Sequence, residues 1–159
     1  VVSIGRSAFQ ACISLINVHL PDNITDFGKG GTFAGCFSLQ SINIPTGLTE
    51  LPGDFVFCCA SLLSLYIPKN IKIFHNSDFL GCYSLETIQV DEDNETFDSR
   101  NDCNAIITTI PVKEYIQEYE PNTLIFGCQT TIIPDSVCAI AEEAFNANLS
   151  LTSIPILAS

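Results

Sequence analysis

One phrase, Phe-x-x-Cys-x-Ser-Leu-x-x-aliphatic-x-aliphatic-Pro, returns about every 23 residues along this chain of 159. It reads FQACISLINVHLP from Phe9, FAGCFSLQSINIP from Phe33, VFCCASLLSLYIP from Val56 and FLGCYSLETIQVD from Phe79, with a further copy, FNANLSLTSIPIL, from Phe145 to Leu157. Self-similarity at a period of roughly 20–50 residues signals stacked coils in which each unit contacts its neighbours, not a single folded-back core. Function then has to be sought on a surface of the stack.

Within each unit the aliphatic sets Leu15/Val18/Leu20, Leu39/Ile42/Ile44, Leu62/Leu65/Ile67 and Leu85/Ile88/Val90 end in an alternation of period two. That is the signature of a short strand with one face buried. Pro21, Pro45, Pro68 and Pro134 follow their strands, where a missing N–H and a fixed φ suit an exit from a ladder. A second set, Val1/Ile4, Ile24/Phe27, Leu48/Leu51, Ile71/Phe74 and Val137/Ile140, predicts a second inward-facing wall. Phe9, Phe33, Phe79 and Phe145 are expected to stack along the axis as a ladder. Val56 takes that place in the third unit, with Phe55 and Phe57 as substitutes beside it. The second unit carries one extra residue between Phe27 and Phe33, where Gly28, Gly30 and Gly31 absorb it as a bulge or loop.

From Asp91 to Pro134 the pattern changes to two irregular coils, with FDSRNDCNAIITTI read as a strand after an acidic turn and NTLIFGCQTTIIP as two more. The polar segment 111–121 between them predicts a protruding hairpin or short helix near Lys113–Glu120. The expected architecture is one solenoid over 1–159, mostly β and loop, of roughly seven coils and about 34 Å of stacking at the ~4.8 Å spacing of paired strands. With no Met, and with Val1 already reading as mid-repeat, the sequence looks like an excerpt of a longer array.

The AFxxCxSL-type phrases, together with the segment TFDSRNDCNAIITT…NTLIFGCQTTIIPDSVCAIAEEAF from Thr96 to Phe145, resemble the BspA-like leucine-rich repeat family over nearly the whole chain. The longer insert from Ile110 to Pro121 departs from that pattern. The resemblance implies a right-handed superhelix, an extracellular or cell-surface location, and adhesion to host or neighbouring-cell surface or extracellular-matrix proteins. It implies no catalytic residues and no cofactor.

The charge balance, 18 acidic against 6 basic side chains and net -12, opposes phosphate backbones and anionic lipid, so neither nucleic acid nor a membrane surface is an expected partner. Eight cysteines invite a disulfide framework. Cys12, Cys36, Cys59 and Cys82, however, occupy one position per repeat, where the further copy has Asn148. A position that takes Cys or Asn fits a small inward side chain satisfying a turn, although stacked coils also bring Cα atoms within bridging range. Cys58, Cys103, Cys128 and Cys138, off that ladder, are the better candidates for reactive thiols.

No paired C-x-x-C spacing supports zinc. The acidic run Asp91–Asp98 lacks the glycine and the terminal bidentate Glu of a calcium loop, and reads as a solvated turn. With two histidines, His19 on a strand face and His75 in a turn, no Ser–His–Asp constellation is expected, and Gly28-Lys29-Gly30-Gly31 lacks phosphate-loop spacing. Asn23, Asn94 and Asn148 begin Asn-x-Ser/Thr triplets, which act as glycan acceptors only in a eukaryotic secretory pathway.

What remains is the outer strand face. Its columns Asn17/Ser41/Ser64/Thr87 and His19/Asn43/Tyr66/Gln89 are polar and nearly uncharged on a strongly acidic chain, as a protein-recognition surface would be. Short polar residues also simply suit an exposed sheet. The sequence therefore predicts a non-enzymatic, metal-free module that binds protein ligands through this face or through the irregular insert, and as its alternative a structural spacer with no ligand of its own.

Overall fold

The computed structural model describes residues 1–114, 117–146, 148–149 and 151–155. Tyr115 and Ile116 of the polar insert, and Ala147, Ser150, Ile156 and Leu157 of the last repeat copy, lie outside the described residues. The strands are β1 (Asn17–Val18), β2 (Ser41–Ile42), β3 (Ser64–Ile67), β4 (Thr87–Val90), β5 (Phe97–Asp98), β6 (Ala105–Thr108), β7 (Val112–Glu114), β8 (Gln117–Tyr119), β9 (Thr123–Gly127) and β10 (Ala139–Ile140). Two 3-10 turns, Asn76–Asp78 and Arg100–Asp102, complete the regular structure, and no α-helix occurs among the described residues.

The first four strands are parallel and one repeat apart. Asn17 and Val18 pair with Ser41 and Ile42, and Ser64–Ile67 pair residue for residue with Thr87–Val90. Alternation does what the sequence pattern requires: along β3, Ser64 and Tyr66 point out while Leu65 and Ile67 are buried. The second wall is equally regular in the middle of the stack, where Ile24, Phe27, Leu48, Leu51, Ile71 and Phe74 are all buried. At its margins the expectation fails, with Val1 83% and Ile140 48% exposed, since neither has a coil packed over it among the described residues.

A third wall carries the Phe and Cys positions. Phe9 N–H donates to Thr32 O, Phe33 N–H to Phe55 O and Val56 N–H to Asp78 O, which sets Val56 level with Phe9, Phe33 and Phe79. The ring that packs on Phe33, however, belongs to Phe55, one residue earlier, with centroids 5.7 Å apart and planes near perpendicular. Phe33 also stacks in parallel on Phe9 at 5.2 Å, and Phe79 lies against Phe74 and Phe126 at 5.5 and 5.3 Å. The expected ladder of four equivalent phenyls is therefore a mixed one: Phe33 and Phe79 are buried, Phe9 at the first coil is 41% exposed, and Phe145 is half-buried.

Two residues after the Phe position the chain turns through left-handed φ in each of the first four repeats, at Ala11, Gly35, Cys58 and Gly81. A Cβ on Gly81 would stand 2.9 Å from Cys58 Sγ, so the glycine is required by close approach as well as by φ. The next residue is the ladder cysteine, and its role is now plain. The Cys36 thiol donates to Phe9 O at 3.2 Å, Cys59 to Phe33 O at 3.3 Å and Cys82 to Val56 O at 3.4 Å. Each thiol satisfies a carbonyl of the preceding coil, a weak bond made repeatedly.

Beyond β4 the parallel ladder stops. β5, β6 and β9 form antiparallel pairs, and β10 adds to β9 in parallel, giving one four-stranded sheet in the order β10-β9-β6-β5. The edge of β4 is finished by side chains: Val90 N–H donates to Ser99 Oγ and Ile88 N–H to Asn104 Oδ1. The polar insert is a hairpin, with Val112 opposite Tyr119 and Lys113 opposite Glu118. Where two strands were expected in 122–134, Thr123–Gly127 is a strand, and the segment after it is a turn followed by a single bridging residue, Ile133, whose N–H donates to Pro155 O.

Asn94 and Asp78 are the buried polar anchors. Asn94 is 6% exposed and uses its amide fully, donating to Pro68 O and Ile71 O and accepting from Thr96 and Phe97 N–H. This corrects its reading as part of a solvated turn. Asp78 accepts from Phe55 N–H at 3.0 Å and His75 N–H at 2.7 Å. Burial outweighs those two bonds and pushes its carboxyl up to about 6.

Candidate functional site

The strand face is built from the outward positions of β1–β4 and the residues that follow them. Asn17, His19, Ser41, Ser64, Tyr66 and Gln89 are exposed, and Asn43 and Thr87 are half-buried. Ser64 lies beside Thr87 and Tyr66 beside Gln89 in the ladder, as the columns predicted. The face is less available than its polarity suggests. Ser41 Oγ donates to Asn17 Oδ1 at 2.7 Å. Asn43 accepts from Leu20 N–H at 2.7 Å and donates to Leu20 O at 2.8 Å, mimicking a strand partner. Asn43 is thus a brace between coils.

Tyr66 carries a feature that sequence separation hid. Its hydroxyl donates to Asp91 Oδ2 at 2.7 Å across 25 positions. That bond leads the causes that push the Tyr66 phenol up to about 12, and it holds the Asp91 carboxyl below its ordinary range. Strand face and acidic turn, which the sequence treats as separate candidates, are therefore one feature. They line an open groove of about 450 Å³ with Gln89, Glu92, Asp93 and Ser99. Lys69 reaches Asp93 at 3.5 Å, but both groups are well exposed and the pair contributes little. Arg100 has a firmer role, gripping Asp98 at 2.8 Å through two nitrogens and reaching Asn122 and Ser136.

All eight cysteines are free thiols. Cys36, Cys59, Cys103 and Cys128 are buried, whereas Cys12, a ladder member, and Cys138 are exposed. This corrects both the protected status of Cys12 and the expected reactivity of Cys103 and Cys128. Burial pushes the Cys36, Cys58, Cys59, Cys82 and Cys103 thiols up, Cys59 to about 12, which starves them of nucleophilic thiolate. Iodoacetamide on the native protein should modify Cys12 and Cys138 first and leave Cys36, Cys59, Cys82, Cys103 and Cys128 until denaturant is added. Peptide mass spectrometry reads the order, and a bridge among Cys12, Cys36, Cys59 and Cys82 in unreduced protein would overturn it. No cluster of three or more His, Cys, Asp or Glu side chains is placed to hold a metal among the described residues.

Two solved structures share the fold at a TM-score of 0.62: a leucine rich cell surface protein from Faecalibacterium prausnitzii A2-165 and a leucine-rich repeat protein from Eubacterium ventriosum ATCC 27560. Each is 20% identical over 98% of this chain, which spans 45% of the length of the solved chain. No curated protein sequence matches. The model of the BspA type leucine rich repeat region matches residues 1–106 in 6 copies. Those are the residues whose thiol ladder, parallel strands and left-handed turns repeat coil by coil, and the chain belongs to that family.

Proposed function

We propose that this chain is a non-enzymatic recognition module, a right-handed solenoid of about seven coils displayed at a cell surface and binding host or neighbouring-cell surface or matrix proteins through its strand face. The observation that carries this reading is the face itself. Tyr66, Gln89 and Ser64 project from the paired strands β3 and β4, with His19 exposed just after β1, as a hydrogen-bonding surface that meets the acidic turn at Asp91. Rigid aromatic and amide groups on a sheet bind at low entropic cost. The cell-surface relative of like fold supports the location. A spacer role is the second reading, favoured by the internal bonds of Ser41, Asn43 and Tyr66.

The test is capture of surface and matrix proteins on the immobilised chain, followed by affinity measurement with variants. Because Tyr66 holds Asp91, the acidic variant must spare Asp91: Glu92→Gln with Asp93→Asn is compared with His19→Ala with Tyr66→Ala. The face pair should weaken binding by about tenfold or more, as for truncation of anchor residues, and the acidic pair should mainly reduce its salt dependence. Loss confined to the acidic pair would move the site to the turn, and no captured protein at all would favour the spacer.

A further inference from the structure

Within the run β1–β4 the parallel ladder is interrupted between the coil of β2 and the coil of β3. On the strand wall, β1 pairs with β2 and β3 with β4, but β2 and β3 belong to different sheets. The second wall breaks at the same joint. The joint before it has the bridge Ser3–Asp26 and the joint after it Glu50–Ile73. In those joints Ile4 N–H reaches Asp26 O and Thr25 N–H reaches Val2 O, then Leu51 N–H reaches Ile73 O and Lys72 N–H reaches Thr49 O. The equivalent bonds between them, Phe27 N–H to Glu50 O and Thr49 N–H to Thr25 O, are not made among the described residues. In their place is an open slot of about 620 Å³, lined by Thr25, Phe27, Lys29, Thr49, Glu50 and His75.

The third wall is intact at this joint. Gly31, Phe33 and Gly35 N–H donate to Gly53, Phe55 and Phe57 O at 3.0, 3.1 and 2.7 Å, and the Cys59 thiol reaches Phe33 O. The rings of Phe27, Phe33 and Phe55 pack together there. The strand wall keeps one backbone bond here, Leu63 N–H to Gln40 O, the counterpart of Gln40 N–H to Ile16 O and Glu86 N–H to Leu63 O at the neighbouring joints. The corner between the strand and second walls keeps Gly47 N–H to Asp22 O, Thr46 N–H to Asp22 Oδ1 and Asn70 Nδ2 to Thr46 O. On the second wall the break coincides with the insertion: Asp26 and Glu50 are equivalent but 24 residues apart, against 23 from Glu50 to Ile73, and the extra residue sits in Gly28–Gly31 on the slot's rim, whereas β2 and β3 stand at the ordinary 23-residue spacing.

We infer that this joint is a hinge, with the Phe and Cys wall as its axis and the two thinly bonded walls able to open and close, so that the array bends between β2 and β3. A joint held chiefly on one wall, with fewer bonds on the other two, yields at lower cost than its neighbours, where the strand wall is laddered as well. The break divides the strand face between Asn17/Ser41 and Ser64/Thr87. Bending changes the spacing of the two halves, a consequence that rests on the proposed binding face.

Native chemistry supplies the probes, since Cys12 and Cys138 are exposed and stand on opposite sides of the joint. With Cys58→Gly, matching Gly35 and Gly81, nitroxides on Cys12 and Cys138 are measured by double electron–electron resonance. A second pair, Ser64→Cys with Cys138 in a Cys12→Ser background, lies wholly on one side. The pair across the joint should give a distance distribution about twofold broader than the pair on one side. Deleting Lys29, which restores the 23-residue spacing, should narrow it. Equal widths for the two pairs in the undeleted protein overturn the hinge, whether or not the deletion variant folds and whether or not a ligand is found.

Discussion

Phe79→Ala should destabilise the chain by about 3–5 kcal/mol, the range for deleting a buried phenyl in a core that collapses only partly. Phe79 is 1% exposed and lies between Phe74 of the second wall and Phe126 of β9. It therefore joins the parallel coils to the four-stranded sheet, and in a stacked array a defect at one coil weakens the interfaces on both sides. Val56, level with it in the backbone ladder, is also fully buried, but the space beside it is filled by Phe55. Val56→Ala removes two methyl groups and should cost roughly 1–2 kcal/mol, whereas Phe55→Ala should approach the Phe79 value. Urea titrations at unchanged m-value separate the three. Equal losses for Val56→Ala and Phe79→Ala would show that Val56 carries the ring's share of the packing after all.

The coil was legible because its signals are local. A period of about 23 residues, a two-residue alternation and a proline exit together place Leu65 and Ile67 inward and Tyr66 outward, and the pairing of Tyr66 with Gln89 follows from counting. What one residue type does at a repeated place was less legible. Cysteine at Cys36, Cys59 and Cys82 reads as small and buried, and only the stacked coils show the carbonyl each thiol serves. Exposure of Phe9 and Cys12 depends on where a coil stands in the stack, which a repeat pattern treats alike. The antiparallel pairing of β6 with β9 lies in the stretch where the period is lost, so nothing local announced it. The Tyr66–Asp91 bond joins residues that the sequence had put into rival candidate sites. The extra residue near Gly28 was visible as a bulge, but the loss of bridging on the second wall beside it is a property of two coils together.

Asn94→Leu should cost on the order of 3–4 kcal/mol, although by position leucine looks like the better residue. Asn94 N–H donates to Asp91 O as Ile24, Leu48 and Ile71 N–H donate to Pro21, Pro45 and Pro68 O, so Asn94 stands in a column otherwise filled by buried aliphatic side chains. Leucine would match that column in volume and hydropathy. It would leave Pro68 O, Ile71 O and the N–H groups of Thr96 and Phe97 without the four bonds Asn94 now makes. An unpaired buried backbone group costs about 1–3 kcal/mol, partly offset here by the apolar gain. Asn94→Asp separates the two halves of the amide: a carboxylate still accepts from Thr96 and Phe97 but faces two carbonyl oxygens. It should therefore be less stable at pH 7 than at pH 4, where the protonated acid regains one donor. Thermal melts of the Leu and Asp variants at both pH values decide the matter. A Leu variant as stable as the wild type would mean that the amide is dispensable and that the change from parallel coils to antiparallel sheet is driven by apolar packing alone.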